Sequence, residues 1–394
     1  MQIILDARNT GRVMGTGVTT YTRTLAEALR EQEGISVGYL NEASCSRTDE
    51  ATRAHSPSAS SLRLTRALSS RRRKAFMGIG NQTGNLICED IFRIGHVHFN
   101  IYKKLLTVDP AQEPSVMHWT CPLPLHMRGC PNVVTIHDLI PILYPEFCQT
   151  EPRRIQRLLE SVIERADMIV AISETVKKDI VTYFGLSPER IRVIHQATNI
   201  LSELSNIAPV EYVSCPADSF IHIGTVERRK NIARLIRAHS LSRTRRMLVL
   251  IGPDGFDARQ ELAALSDHRH PERVVRLPWI NRSDLLVALR KARAVVFPSL
   301  AEGFGLPIVE AMALGVPVLT SRGGATEEIA GKAAYLCDPL DIESIAEGLI
   351  RLDRDESMCH DLIHLGNQHV KNFNPHNYGL HFKSLYQDLL SISR

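Results

Sequence analysis

A chain of 394 residues, 44% hydrophobic and 23% charged, is long enough for two domains and has the balance of a folded globular protein. No stretch approaches the ~18 uninterrupted apolar residues of a membrane span, and the opening run Ile3–Leu5 is too short for a secretory core. A cytoplasmic location is therefore expected, and the net charge of +4 is unremarkable in total.

Ile3 to Leu5 reads as a buried strand, followed by a glycine-bearing loop through Gly15, Thr16 and Gly17. That loop lacks the GxGxxG spacing, so it does not by itself announce a dinucleotide. Thr20 to Glu31 carries helical periodicity through Tyr21, Leu25, Ala28 and Leu29, and Ile35 to Leu40 reads as the next strand. The stretch from about 41 to 83 is rich in Ser, Thr and Arg. Between Ala51 and Cys88 there is no acidic residue, while Arg53, Arg63, Arg66, Arg71, Arg72, Arg73 and Lys74 all fall there. Such a run is either a solvated face or a surface for anionic headgroups or a pyrophosphate-bearing acceptor. Leu62, Leu64, Leu68 and Phe76 interleave with the cations of Arg63–Lys74 as an interfacial helix at a membrane would require. No base-reading module accompanies the patch, so nucleic acid is not an expected partner.

Short apolar strands are expected at Val116–Trp119 and Val133–Ile136, the latter ending in His137 and Asp138. A polar pair at the C-terminal end of a buried strand faces a cleft rather than a core. A helix over about 151–165, the strand Met168–Ala171 and a helix N-capped by Ser173 follow, with Glu174 in the first turn. After Ile191–Ile194 periodicity lapses from Gln196 to Ser219, which reads as a linker. A second series then alternates: strand 220–223, helix 231–241, strands 247–251 and 273–277, helix 283–291, strand 294–297, helix 306–314 and strand 316–319. Two series of strand–helix units predict an α/β protein of two Rossmann-like domains facing a central cleft. The expected divisions are 1–200, 201–374 and a final amphipathic helix in 375–394. The eight cysteines form no Cys-x-x-Cys pair and no zinc spacing, so reduced thiols and no metal are expected.

Three runs carry chemistry. In the run PSLAEGFGLPIVEAMALG over 298–315, Gly303 and Gly305 let backbone amides approach a ligand, and the following helix points its positive end there. Glu302 precedes that turn and Glu310 lies inside the helix, with Pro307 suited to the first turn and Gly315 to the C-terminal cap. In IHIGTVERRKN over 221–231, Arg229 and Lys230 stand where a leaving diphosphate needs cations. In VVTIHDLIP over 133–141, His137 stands at a strand end.

Together these runs resemble the family 4 retaining glycosyltransferases of the B-type (GT-B) fold, most specifically over 133–198 and 219–340. The Glu302-x7-Glu310 pattern is that family's signature, and Asp167–Thr175, Gly185–Ile194 and the C-terminal pattern near Tyr386 are typical of it. The resemblance implies that the last helix crosses back to the first domain. It implies that Lys230 and Arg229 bind the donor diphosphate, Glu302 the donor sugar and Glu310 the ribose. By the same resemblance His137 sits at the reaction centre with Ser173 in support, and the amides of Phe304, Gly305 and Leu306, beside Gly303, hold sugar and phosphate oxygens. Gly15, Thr16 and Gly17 close over the donor from the other domain. Thr225 stands where many members carry arginine, and Val18-Thr19-Thr20-Tyr21 replaces a common Gly-Arg-Tyr ending.

The implied reaction moves a hexose, best read as mannose from GDP-mannose, with retention and without a metal or other cofactor. The expected acceptor is a glycan, a lipid-linked oligosaccharide in polysaccharide synthesis, which would bring the cytoplasmic enzyme to the inner face of the membrane as a peripheral protein. UDP-glucose or UDP-galactose remains an alternative donor, since nothing near Trp279 and Ile280 decides the base. A nucleotide-sugar epimerase would need a carboxylate set that is absent. A binding protein with a dead site would be expected to lose several of His137, Lys230, Glu302 and Glu310.

Overall fold

The computed structural model describes residues 1–10, 17–43, 64–65, 68, 72–78, 84–205, 215–278 and 280–392. Strands β1 (Gln2–Asp6), β2 (Ser36–Ala43), β3 (Arg72–Met77), β4 (Leu86–Glu89), β5 (Leu106–Pro110), β6 (Val116–Trp119), β7 (Leu125–Met127), β8 (Asn132–Ile136), β9 (Met168–Ala171) and β10 (Ile191–Val193) form one sheet. Their order is β10-β9-β8-β6-β1-β2-β4-β3-β5-β7, parallel throughout except where β3 meets β4. A second, wholly parallel sheet comprises β11 (Phe220–Ile223), β12 (Leu248–Ile251), β13 (Val274–Leu277), β14 (Ala294–Phe297), β15 (Val318–Ser321) and β16 (Tyr335–Cys337), in the order β13-β12-β11-β14-β15-β16.

The central strands of the second sheet are apolar on both faces, as helix-covered parallel strands must be. Leu248, Leu250 and Val296 join one core, while Val249, Ile251, Val295 and Phe297 join the other. The side-chain alternation of a strand therefore feeds two helical layers. The expected two-domain α/β architecture is the one observed.

The last helix, Pro375–Ile392, lies on the first domain. Tyr378, Phe382, Leu385, Tyr386 and Leu389 are buried in the same core as Ile3, Leu25 and Trp119. Each such burial contributes about 1.5–3 kcal/mol. The Tyr386 hydroxyl lies 2.6 Å from His118 Nδ1, and His118 Nε2 lies 2.8 Å from Thr135 Oγ1. Thr135 in turn meets the Tyr21 hydroxyl at 2.7 Å. Phe304, Val309 and Ile329 of the second domain also join this core, so the domains meet through apolar packing.

Three local expectations need correction. Arg72–Met77 is not part of an interfacial helix; it is strand β3, held between β4 and β5. Strand pleat sends Arg72, Lys74 and Phe76 to an exposed face and buries Ala75. Arg63 and Arg71 lie outside the described residues. The strand expected at 316–319 starts later, at Val318, because Pro317 has no amide for a ladder. The aperiodic segment after Ile194 holds a short helix, Ile200–Ser205. Cys88, Cys121, Cys130, Cys148, Cys215, Cys337 and Cys359 are free thiols, and no described helix is long and apolar enough to cross a membrane.

Candidate active site

The site forms where the C-terminal ends of β11 and β14 approach the end of β8. After β11 the chain makes one 3₁₀ turn, Arg228–Lys230, and Asn231 takes a left-handed conformation to start helix Ile232–Ser242. After β14 the loop 298–305 leads into helix Leu306–Ala313, with Pro307 in its first turn and Gly305 at φ 110°. The two turns are bolted together. Leu300 N–H donates to the Arg229 carbonyl at 2.8 Å, and the Asn231 side chain donates to the Pro298 carbonyl at 3.0 Å.

That coupling brings three of the expected residues into contact. Lys230 Nζ donates to Glu302 Oε1 at 2.5 Å, and Arg229 Nη1 donates to Glu302 Oε2 at 2.7 Å. The second Arg229 nitrogen donates to Glu227 at 2.6 Å. Burial alone would raise the Glu302 carboxyl, but Lys230 and Arg229 outweigh it and hold its pKa at about 2. Burial pushes the Lys230 ammonium below its ordinary value, with Glu302 opposing. Lys230 also stands 4.5 Å from the centre of the Phe297 ring, a cation–π contact.

From the first domain the main chain of His137 meets the loop that carries Glu302. The His137 Nε2–H donates to the Thr120 carbonyl at 2.8 Å, which fixes the tautomer, and its ring meets Tyr21 edge-on at 4.8 Å. Burial lowers its pKa, so the imidazole is neutral at neutral pH. Asp138 beside it is pushed up by burial and drawn down by the Ile140 amide, with Arg229 contributing from across the cleft. The domains meet at Gly303. A Cβ there would collide with the His137 carbonyl, so only glycine permits the approach.

Ser173 is buried and caps helix Glu174–Phe184 by accepting from the Val176 amide at 3.1 Å. Its hydroxyl donates across the domain boundary to the Gly303 carbonyl. Phe304 packs its ring beside His195 and Phe373. Glu310 is buried on its helix, with Oε1 accepting from Arg282 at 2.6 Å. Gly17 begins the helix Gly17–Arg30, while Gly15, Thr16 and Trp279 lie outside the described residues.

Sequence reasoning did not single out Arg282 or Glu328. Glu328, in helix Gly324–Ala330, accepts the Glu174 and Thr175 amides at 2.7 and 2.8 Å and His195 Nε2 at 2.9 Å. A carboxylate of the second domain thus sits on the N-terminus of a first-domain helix. Burial raises it, but these four hydrogen bonds, including the Thr175 hydroxyl, hold it at about 2.

The Glycosyltransferase Family 4 model matches residues 15–200, and the Glycosyl transferases group 1 model matches residues 217–369. The chain is similar to O-antigen chain mannosyltransferase B of Escherichia coli, 31% identical over 236 residues, 57% of this chain and 62% of that protein. It is 28% identical to O-antigen chain mannosyltransferase RfbU of Salmonella typhimurium over 58% of this chain and 61% of that one. The match thus spans about three fifths of the length of these relatives. Among solved structures, a sucrose-phosphate synthase from Thermosynechococcus elongatus superposes over 100% of both chains with a TM-score of 0.70 at 19% identity, which speaks to fold alone. With a family 4 domain in its first half and a group 1 domain in its second, the chain belongs to the family 4 glycosyltransferases of GT-B fold.

Proposed function

We propose that the protein transfers mannose from GDP-mannose, with retention of configuration, to a hydroxyl of a glycan acceptor, a lipid-linked oligosaccharide in polysaccharide synthesis. The observation that carries the reading is the joint grip of Lys230 and Arg229 on Glu302 beside the Gly303–Leu306 turn. Two cations and a helix N-terminus converge there, as stabilisation of a departing diphosphate requires. When the diphosphate engages the cations, Glu302 is released to accept hydrogen bonds from donor-sugar hydroxyls. Glu310 serves the ribose. The amides of Phe304, Gly305 and Leu306 hold sugar and phosphate oxygens, and the loop of Gly15, Thr16 and Gly17 covers the donor.

His137 stands at the reaction centre with Ser173 behind it. Its Nε2–H is committed to the Thr120 carbonyl, which suits a positioning role rather than that of a base at this nitrogen. The reaction then proceeds by front-face displacement through an oxocarbenium-like state. The bond from the anomeric carbon to the departing phosphate oxygen breaks, the acceptor oxygen bonds on the same face, and the departing phosphate oxygen takes the acceptor proton. Lys230 and Arg229 supply the positive charge at the leaving group, and we read the reaction as needing no metal. The exposed face of β3, with Arg72, Lys74 and Phe76, suits an anionic membrane surface on which a lipid-linked acceptor is carried.

The mannosyltransferase relatives favour mannose over glucose or galactose. The reading is tested by thermal shift with GDP, GDP-mannose, UDP and UDP-glucose, each with and without EDTA. Stabilisation by the guanine pair, unchanged by chelator, is expected. Stabilisation by the uridine pair would transfer the reading to UDP-glucose or UDP-galactose, and no shift with any of them would overturn it.

A further inference from the structure

Arg282 opens the helix Arg282–Arg290 and bridges two carboxylates. Its Nη2 donates to Glu310 Oε1 at 2.6 Å, and its Nε donates to Glu203 Oε2 at 2.8 Å. Glu203 lies on the helix Ile200–Ser205, between the two sheets. Its other oxygen accepts from Arg23 at 3.3 Å, and Arg23 belongs to the first-domain helix Gly17–Arg30. The four residues therefore make a chain of alternating charge, Arg23–Glu203–Arg282–Glu310, that starts on one domain and ends on a buried carboxylate of the other.

This chain is poorly explained as a stabilising device. The Arg282 and Arg23 side chains are 40% and 56% exposed, where ion pairs contribute little to folding. Its inner end is different, because the Glu310 side chain is only 9% exposed. A buried carboxylate needs a fixed partner to hold its direction. Arg282 supplies it through Oε1, while Oε2 makes no hydrogen bond among the described residues.

We propose that Arg282 is a positioning residue for the nucleoside end of the donor: it orients Glu310 so that Oε2 is left for the ribose hydroxyls. Glu203 and Arg23 extend that control to the other domain, so the ribose grip is completed only when the helix Gly17–Arg30 is seated. The proposal rests on the reading of Glu310 as the ribose residue. A small displacement of a positioning group is enough to lose a hydrogen bond that depends on its angle.

The test is calorimetric titration of the full-length protein with GDP and with 2′,3′-dideoxy-GDP, and in parallel with the two uridine counterparts. The wild type is expected to prefer the ribose form of its nucleotide about tenfold, the equivalent of one good hydrogen bond to a charged group. Arg282→Gln should lose most of that preference by weakening the ribose form alone, and Arg282→Lys should restore part of it. Glu203→Gln, an outer change that leaves Glu310 its cation, should lower the preference about threefold, and Arg23→Gln by less. A merely structural role would weaken ribose and dideoxy forms equally. That outcome, or full preference retained in both Arg282→Gln and Glu203→Gln, overturns the proposal alone. A wild type that binds the two forms alike overturns the ribose reading of Glu310 as well, and failure to bind either nucleotide overturns the donor reading itself.

Discussion

Ser173 donates its hydroxyl to the carbonyl of Gly303 at 2.8 Å, joining the cap of a first-domain helix to the loop that carries Glu302 in the second. The same glycine lies against the His137 carbonyl with no room for a methyl group. One peptide of the second domain is therefore held by two residues of the first. Gly303→Ala should keep both domains folded and hold them apart. Turnover should fall about a hundredfold from misplacement of the reacting groups, with nucleotide affinity changed far less. Scattering in solution should report a larger radius of gyration, and unaltered turnover would refute the close approach.

Lys230→Ala removes one of the two cations on Glu302 and leaves Arg229 in place. If these cations stabilise the leaving group, turnover drops by about 10²–10³. The far-ultraviolet circular dichroism spectrum and thermal midpoint check that the fold persists. Activity close to wild type would remove Lys230 from the chemistry.

Glu328→Ala deprives helix Glu174–Phe184 of the carboxylate on its first amides and deprives His195 of its partner. Loss of that cap should cost about 1 kcal/mol in docking of the two domains. Limited proteolysis between Gln196 and Ser219 should become faster, while the unfolding transition of the second domain stays where it was. Equal proteolysis rates would show that Glu328 does not latch the domains.

Acid should weaken the fold over a defined window. Burial lowers His118 to about 3 and His96, His222 and His239 to about 4, against an ordinary value of 6.5. His239 is further committed: its Nε2–H donates to the Arg246 carbonyl, and its Nδ1 receives His268 Nε2–H at 3.0 Å. His268 Nδ1 in turn accepts the His270 amide, so no ring nitrogen of the pair is left for another proton. For a histidine whose folded pKa is lowered, the unfolded chain binds the extra proton first. The stabilisation is complete above about pH 6.5, is lost as pH falls, and is exhausted below the folded value. Glu302 and Glu328, both held at about 2, act in the same direction between their ordinary 4.5 and 2. The urea midpoint should therefore fall steadily from pH 7 to pH 4.5, and a flat profile would contradict the buried neutral histidines.

Much of this was legible in the sequence because local chemistry and tertiary placement agree. Ser173 is the N-cap that its sequence predicts, and Pro307 and Gly315 bracket the helix Leu306–Ala313 as their local chemistry requires. The Lys230–Glu302 contact follows from two strand-end motifs meeting on neighbouring strands of one sheet. The segment Ile91–Tyr102 was not legible. Its sequence is rich in Ile, Val, Phe and Tyr with Gly95 at its centre, which reads poorly as a helix. Packing decides it: Gly95 sits where a Cβ would press on the Leu125 side chain, so the glycine is there for contact. Arg282 was invisible for another reason. Its partners Glu203 and Glu310 lie 79 and 28 residues away, and no spacing rule links them.

The helix Pro375–Ile392 gives the protein an unusual order of assembly. On the ribosome the first sheet is available long before the residues that cover it. Until Tyr386 arrives, His118 and Thr135 lack the end of their hydrogen-bond relay, and Ile3 and Leu25 lack part of their apolar cover. The second domain carries two cores of its own and needs nothing from the last helix to bury them. A chain truncated before Pro375 would thus release a sound carboxyl-terminal half attached to an unfinished amino-terminal one, exposed to aggregation through the uncovered face. The half synthesised first is sealed last.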